Sequence, residues 1–153
     1  MAPPLARDAT ESDAELLLDW RNDPQTRVGS RSTEPIAFEQ HLTWLRGVLA
    51  SKSRSLFVVE ADGEPVGTVR FDRESESGSW EVSITVAPKH RGRGLSGAVL
   101  AAGERILTQR HHVASVLAVV HRDNAASAAL FQRAGYSEMP AAGEFRRLRK
   151  TLR

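Results

Sequence analysis

Between Ser83 and Ala98 a β-branched run gives way to a proline, then to a turn rich in glycine and arginine that opens into an apolar helical stretch. Val82, Ile84 and Val86 alternate as strand residues do. Pro88 stops the strand, and Leu95, Val99, Leu100 and Leu107 resume at helical spacing. Strand, turn and helix therefore follow in that order. Gly92 and Gly94 reach backbone angles closed to other residues and let amide N–H groups approach a ligand closely. Those amides, with the positive end of the following helix, face an anion, so the segment reads as a phosphate cradle.

Spacing separates the kinds of cradle. A Walker loop needs Gly-x-x-x-x-Gly-Lys-Ser/Thr, which is not found here. Gly92, Gly94 and Gly97 do fit the dinucleotide fingerprint Gly-x-Gly-x-x-Gly. However, no acidic residue closes a following strand about 20 positions on, where a ribose contact is needed, and Glu104 falls inside the helix. The run Arg91-Gly92-Arg93-Gly94-Leu95-Ser96 instead resembles the acetyl-CoA pyrophosphate loop of the GNAT N-acetyltransferases, Arg/Gln-x-x-Gly-x-Gly/Ala. A second stretch, Asn124-Ala125-Ala126-Ser127-Ala128-Ala129-Leu130-Phe131-Gln132-Arg133-Ala134-Gly135-Tyr136, is similar to the later signature of the same family, Asn-x-x-Ser/Ala-x-x-Leu-Tyr/Phe-x-x-x-Gly-Phe/Tyr. The two occur in family order, and the resemblance extends over nearly the whole chain.

The other elements follow from periodicity. Leu5 to Asp8 reads as a short strand, and Thr10 or Ser12 as the cap of a helix carrying Leu16, Leu17 and Trp20 that stops at Asn22-Asp23-Pro24. Residues 25 to 35 read as a polar loop. Phe38, Leu42, Leu45 and Leu49 mark a second helix ending near Ala50. Leu56 to Val59 and Val66 to Phe71 flank the turn pair Asp62-Gly63 as a hairpin, residues 72 to 79 form a turn, and Trp80 to Ala87 feed the cradle. A helix over about Leu95 to Arg110, a buried strand from Val113 to His121, a helix from Asn124 to Gly135, and strands from Tyr136 and around Phe145 to Leu148 complete the order. The predicted class is α/β (α+β): one domain over residues 1–153, with a mixed, mostly antiparallel sheet of six to seven strands and about four helices on both faces. The resemblance implies that the strands before and after the cradle helix splay apart to hold the pantetheine arm.

Composition narrows the chemistry. With no cysteine, disulfides, thiolate metal sites and an acetyl-cysteine intermediate are excluded. The five histidines show no metal-ligand spacing, so no metal is expected. Twenty-one basic against 19 acidic residues is too even a balance for nucleic-acid binding driven by charge. No apolar run is long enough to cross a membrane and the N-terminus lacks a signal-peptide pattern, which predicts a cytoplasmic protein that binds neither nucleic acid nor membrane, as a monomer or homodimer.

The resemblance implies direct transfer of an acetyl group from acetyl-CoA to the primary amine of a small-molecule acceptor. Thr85, Val86, Arg91, Gly92, Arg93, Gly94, Leu95, Ser96, Gly97, Asn124, Ser127 and Phe131 are the expected acetyl-CoA contacts. Glu81 is the candidate base, because it shares strand parity with Ser83 and Thr85, against Val82, Ile84 and Val86. Glu74 and Glu76 read as loop charges. Where many family members carry a tyrosine to protonate the departing thiolate, this chain has Phe131, and its only tyrosine, Tyr136, reads as a core anchor. Asn124 reads as a helix cap as well as a ligand, His41 as a surface residue or a wall of the acceptor site, and His111 and His112 as ordinary helix C-terminal residues. The stretch Trp20-Arg21-Asn22-Asp23-Pro24 with Arg27, Pro35-Ile36 and His41 to Leu45 resembles amino-sugar N-acetyltransferases acting on nucleotide-linked sugars, and also the branch that acetylates ribosomal-protein N-termini. Arg21, Arg27 and Arg31 favour the anionic sugar. A protein that binds acetyl-CoA as a sensor, without catalysis, is the alternative of another class.

Overall fold

The computed structural model describes residues 3–28, 34–74 and 78–152, with the side chains of residues 27 and 28 excepted. Strand β1 (Leu5–Asp8) leads through a 3-10 turn into α1 (Ala14–Asn22), α2 (Pro24–Val28) and α3 (Phe38–Ala50). The chain continues as β2 (Arg54–Ala61), β3 (Glu64–Arg73) and β4 (Ser79–Val86). A 3-10 turn at Pro88–His90 precedes α4 (Ser96–Arg110), β5 (Ser115–His121), α5 (Ala125–Arg133), β6 (Ser137–Met139) and β7 (Phe145–Thr151). The seven strands form one sheet in the order β1-β2-β3-β4-β5-β7-β6. Every neighbouring pair is antiparallel except β4 and β5, which run parallel because α4 carries the chain back across the sheet. Class and strand count thus match the expectation.

One helix does not. Asn22 does end α1, but Pro24 begins α2 rather than a loop. Proline suits a first helical position because its missing N–H would have no partner there. Asp23 then caps the turn, its Oδ2 accepting from the N–H groups of Gln25 and Thr26 at 3.1 and 3.2 Å. The rest of the expected loop up to residue 33, Arg31 included, lies outside the described residues, as does Glu76.

The sheet separates two apolar clusters. On one face Trp80, Val82, Phe57, Phe71 and Val69 pack with Val99, Leu100 and Leu107 of α4 and Phe131 of α5. On the other, Leu56 and Val58 meet Leu17 and Trp20 of α1 and Leu45 and Val48 of α3. Fully burying each such large side chain contributes about 1.5–3 kcal/mol, so both layers are held to the sheet chiefly by these contacts. Within the larger cluster the Tyr136 hydroxyl donates to Glu104 Oε2 at 2.7 Å, and Lys150 Nζ meets Glu104 Oε1 at 2.9 Å. Burial and that carboxylate push the phenol well above its ordinary range. Tyr136 is the core anchor read from its position after the Gly135 turn.

Strands β4 and β5 part company halfway along. Ser79 to Val82 pair with Ser115 to Ala118. Beyond that point Ser83 to Val86 keep only β3 as partner, and Val119 to His121 keep only β7. The result is a wedge that opens toward the turn at residues 91–95.

Candidate active site

The turn has the backbone that its glycines permit. Gly92 and Gly94 sit at φ +76° and +70°, and a Cβ added at either would meet nothing within 4 Å. Glycine is therefore required for conformation, not for space. Helix α4 starts at Ser96, and among the described residues its N-cap, Leu95, makes no side-chain hydrogen bond to the first amides. Leu95, at the cap, packs partly buried against the larger cluster, and Gly97 lies in the first turn; Arg93 is exposed, with its guanidinium 3.3 Å from His90 Nδ1. His90 is buried against Glu64, whose carboxyl Lys89 and then His90 hold below the usual range. That contact fastens the turn to the start of β3.

Arg91 lies differently from its neighbours. Its N–H bonds Pro88 O at 3.3 Å, and its guanidinium crosses to α2, where it meets Asp23, Gln25 and Thr26. Its side chain is thus engaged with α2 rather than held over the glycines.

A cavity of about 820 Å³ occupies the wedge. Trp20, Arg21, Thr26, Ile36, His41 and Trp44 from the α1 to α3 layer form one wall. Thr68, Arg70, Glu81, Ser83 and Thr85 form the floor, and Val119, His121, Asn124, Ser127 and Phe131 close the far side. Five of the residues expected from the sequence thus converge here: Glu81, Thr85, Asn124, Ser127 and Phe131. Val86 is absent from this lining, although Val82 and Ile84, which share its strand parity, are part of it. Gly94, Ser96 and Gly97 line a second cavity of about 360 Å³ between α4 and α5.

Glu81 stands one residue before the strands separate, on the face shared by Ser83 and Thr85. Its cross-strand neighbour is Asp72, which takes Arg54 Nε at 3.1 Å and Arg70 Nε at 3.3 Å. Both guanidiniums also lie over the Trp44 ring, at 5.9 and 5.5 Å. Asn124 Oδ1 accepts from the Ser127 N–H at 3.1 Å, so the expected cap is present. Phe131 is buried edge-on against Tyr136 and presents no hydroxyl to the cavity.

Two histidines carry more than their sequence positions suggested. His121, the last residue of β5, accepts from the Asp123 N–H at Nδ1 at 3.1 Å and lines the cavity. His41 is not a surface residue: it is buried, stacked on Trp44 at 5.5 Å, and its Nε2 has no hydrogen-bond partner among the described residues. Burial, reinforced by the Arg21 charge, lowers its pKa from the ordinary 6.5. The folded chain thus refuses a proton that the unfolded chain accepts. His41 leaves stability untouched above about pH 6.5 and costs stability as pH falls below it, until the folded imidazole itself titrates. We expect the melting temperature to fall less between pH 7.5 and 5.5 in His41→Gln than in the parent; parallel curves would contradict this account.

The comparisons with known proteins agree with this geometry. Residues 5–137 match the family model described as an acetyltransferase (GNAT) domain, and the chain belongs to that family. A mycothiol acetyltransferase from Geodermatophilus obscurus is 28% identical over 146 residues, which are 95% of this chain and 46% of that protein. The chain thus spans about half the length of this relative. Among solved structures, a ribosomal-protein-alanine N-acetyltransferase from Brucella melitensis is 26% identical with a TM-score of 0.80, over 97% of this chain and 99% of that one. A spermidine N-acetyltransferase from Vibrio cholerae, in complex with CoA and spermine, has a TM-score of 0.87 at 17% identity, over 97% and 95% of the two chains. Among the described residues no group of side chains is arranged to hold a metal ion, and no helix is long and apolar enough to cross a membrane.

Proposed function

We propose that residues 1–153 act as one N-acetyltransferase domain that moves the acetyl group of acetyl-CoA directly to a primary amine. The observation that carries this is the parting of β4 from β5 after Val82, with Glu81 at the wedge's closed end and the glycine turn and α4 following the free end of β4 in the chain. A diphosphate fits the left-handed turn, because the Gly92 and Gly94 backbones leave open space among the described residues and Leu95, at the N-cap, does not compete for the α4 amides. The free edges of β4 and β5 offer strand-like hydrogen bonds to the pantetheine amides. Asn124 and Ser127 contribute polar contacts on the far side, and Phe131 contributes an apolar one.

A thioester is already activated, so the chain's task is to align a neutral amine with the carbonyl and to stabilise charge on its oxygen. Glu81 takes the proton from the incoming ammonium, directly or through one water. The C–N bond forms as the C–S bond breaks, the second amine proton passes to solvent water, and the sulfur leaves as a thiolate without a phenol to protonate it. The acceptor is an amino sugar, nucleotide-linked sugars included. Arg21 and Arg70 on the cavity lining suit a phosphate. The same cations disfavour polyamines.

Thermal melts with millimolar CoA and thiol release with an amine panel test this reading. CoA should raise the melting temperature, and UDP-linked amino sugars should outpace spermidine, kanamycin and alanyl peptides. Thiol release fastest with the peptides would favour N-terminal acetylation. Stabilisation by CoA with no amine turned over would favour the sensor, and no stabilisation would overturn both.

A further inference from the structure

The turn expected to hold the donor and the wall expected to meet the acceptor are joined by one side chain. Arg91 directly precedes Gly92, yet its guanidinium reaches a segment more than 60 residues earlier in the chain. Its Nη1 lies 2.8 Å from Asp23 Oδ2 and donates to Gln25 Oε1 at 3.1 Å, while Nη2 donates to Thr26 Oγ1 at 2.6 Å. Both members of the ion pair are largely shielded from water, and the guanidinium is the main reason that the Asp23 carboxyl titrates below its ordinary range. Asp23 Oδ2 also holds the first amides of α2. The residue before it, Asn22, closes the other end of the wall: its side-chain amide exchanges two 2.8 Å hydrogen bonds with the main chain of Ile36. Thr26 and Ile36 both line the cavity.

A five-residue helix has no stability of its own, because helices this short are marginal in water without tertiary anchors. The order of α2 therefore tracks its anchors, and the Arg91 fork is one that belongs to the donor turn. That turn has open space about its glycines, so an anion gripped there removes freedom from the Arg91 backbone and with it from the fork. We infer that Arg91 and Asp23 are a positioning pair through which donor binding orders the acceptor wall. By linkage, an acceptor that packs on Thr26 and Ile36 strengthens donor binding by the same factor, on the order of 5- to 150-fold for couplings of this kind. The inference rests on the proposed site for acetyl-CoA, but it concerns a contact that does not touch the reacting atoms.

The test needs no acceptor. Amide hydrogen exchange over residues 25–28 is followed with and without CoA, alongside calorimetric titration of CoA. In the parent, CoA should slow exchange in this segment by about fivefold or more. Asp23→Asn keeps a side chain able to cap α2 but removes the charge; it should bind CoA within about threefold of the parent and lose the slowing. Arg91→Lys, which keeps the charge without the fork, should recover part of it. Exchange that ignores CoA in a parent that binds it would overturn the coupling alone, as would full slowing in Asp23→Asn. A parent that does not bind CoA would overturn the proposed site as well.

Discussion

Replacing Gly94 with valine is expected to weaken CoA binding by about tenfold or more while leaving the fold intact. At φ +70° a β-branched residue carries a backbone penalty of roughly 1–2 kcal/mol, and each 1.4 kcal/mol is about a factor of ten in affinity. The added atoms meet no neighbour within 4 Å of Cβ, so the cost is conformational and falls on the turn. If the chain escapes the penalty by moving to negative φ, the amides rotate away from the anion, and affinity is lost by that route instead. Calorimetry with CoA reads the loss. Gly47→Ala, in α3 and equally open, serves as the matched control and should bind as the parent does. Parent-like affinity in Gly94→Val would mean that this turn does not hold the diphosphate.

Glu81→Gln should lower kcat by about 10²- to 10⁴-fold, the range over which a positioned general base contributes. The substitution keeps shape and β4 pairing, so the KM for acetyl-CoA should stay within a few-fold of the parent. Loss of the base should also remove its limb from the pH–rate profile, and that outcome separates chemistry from misplacement. A variant with parent-like kcat and profile would leave water, or another side chain, as the proton acceptor.

The elements that repeat a pattern were legible from the residues alone. Alternation in β4 placed Glu81, Ser83 and Thr85 on one face, and that face does line the cavity. The left-handed turn at Gly92 and Gly94 and the Asn124 cap are local devices, written in neighbouring residues, and they stand where their spacing placed them. The departures all come from contacts between distant segments. Asn22-Asp23-Pro24 reads as a stop because each residue disfavours a helix interior; the same three make a break followed by a new start once Asp23 is anchored by Arg91. An arginine beside two glycines suggests an anion, and nothing local discloses a carboxylate 68 positions upstream that takes its guanidinium. His41 follows the same logic. Only the packing of α3 over the sheet decides that it is buried beside Arg21 and Trp44 rather than exposed.

The split of the interior into two clusters has a consequence for how such a protein diversifies. The layer that includes Leu17, Trp20 and Leu45 meets the larger cluster only across the sheet, and Phe131, Val99 and Leu100 pack without it. Substitutions among the apolar contacts of that layer therefore leave the packing of α4 and α5 untouched, and communication between the halves is left to polar contacts such as that of Arg91 with Asp23. A lineage built this way can repack that layer repeatedly and keep one inherited handle for the coenzyme.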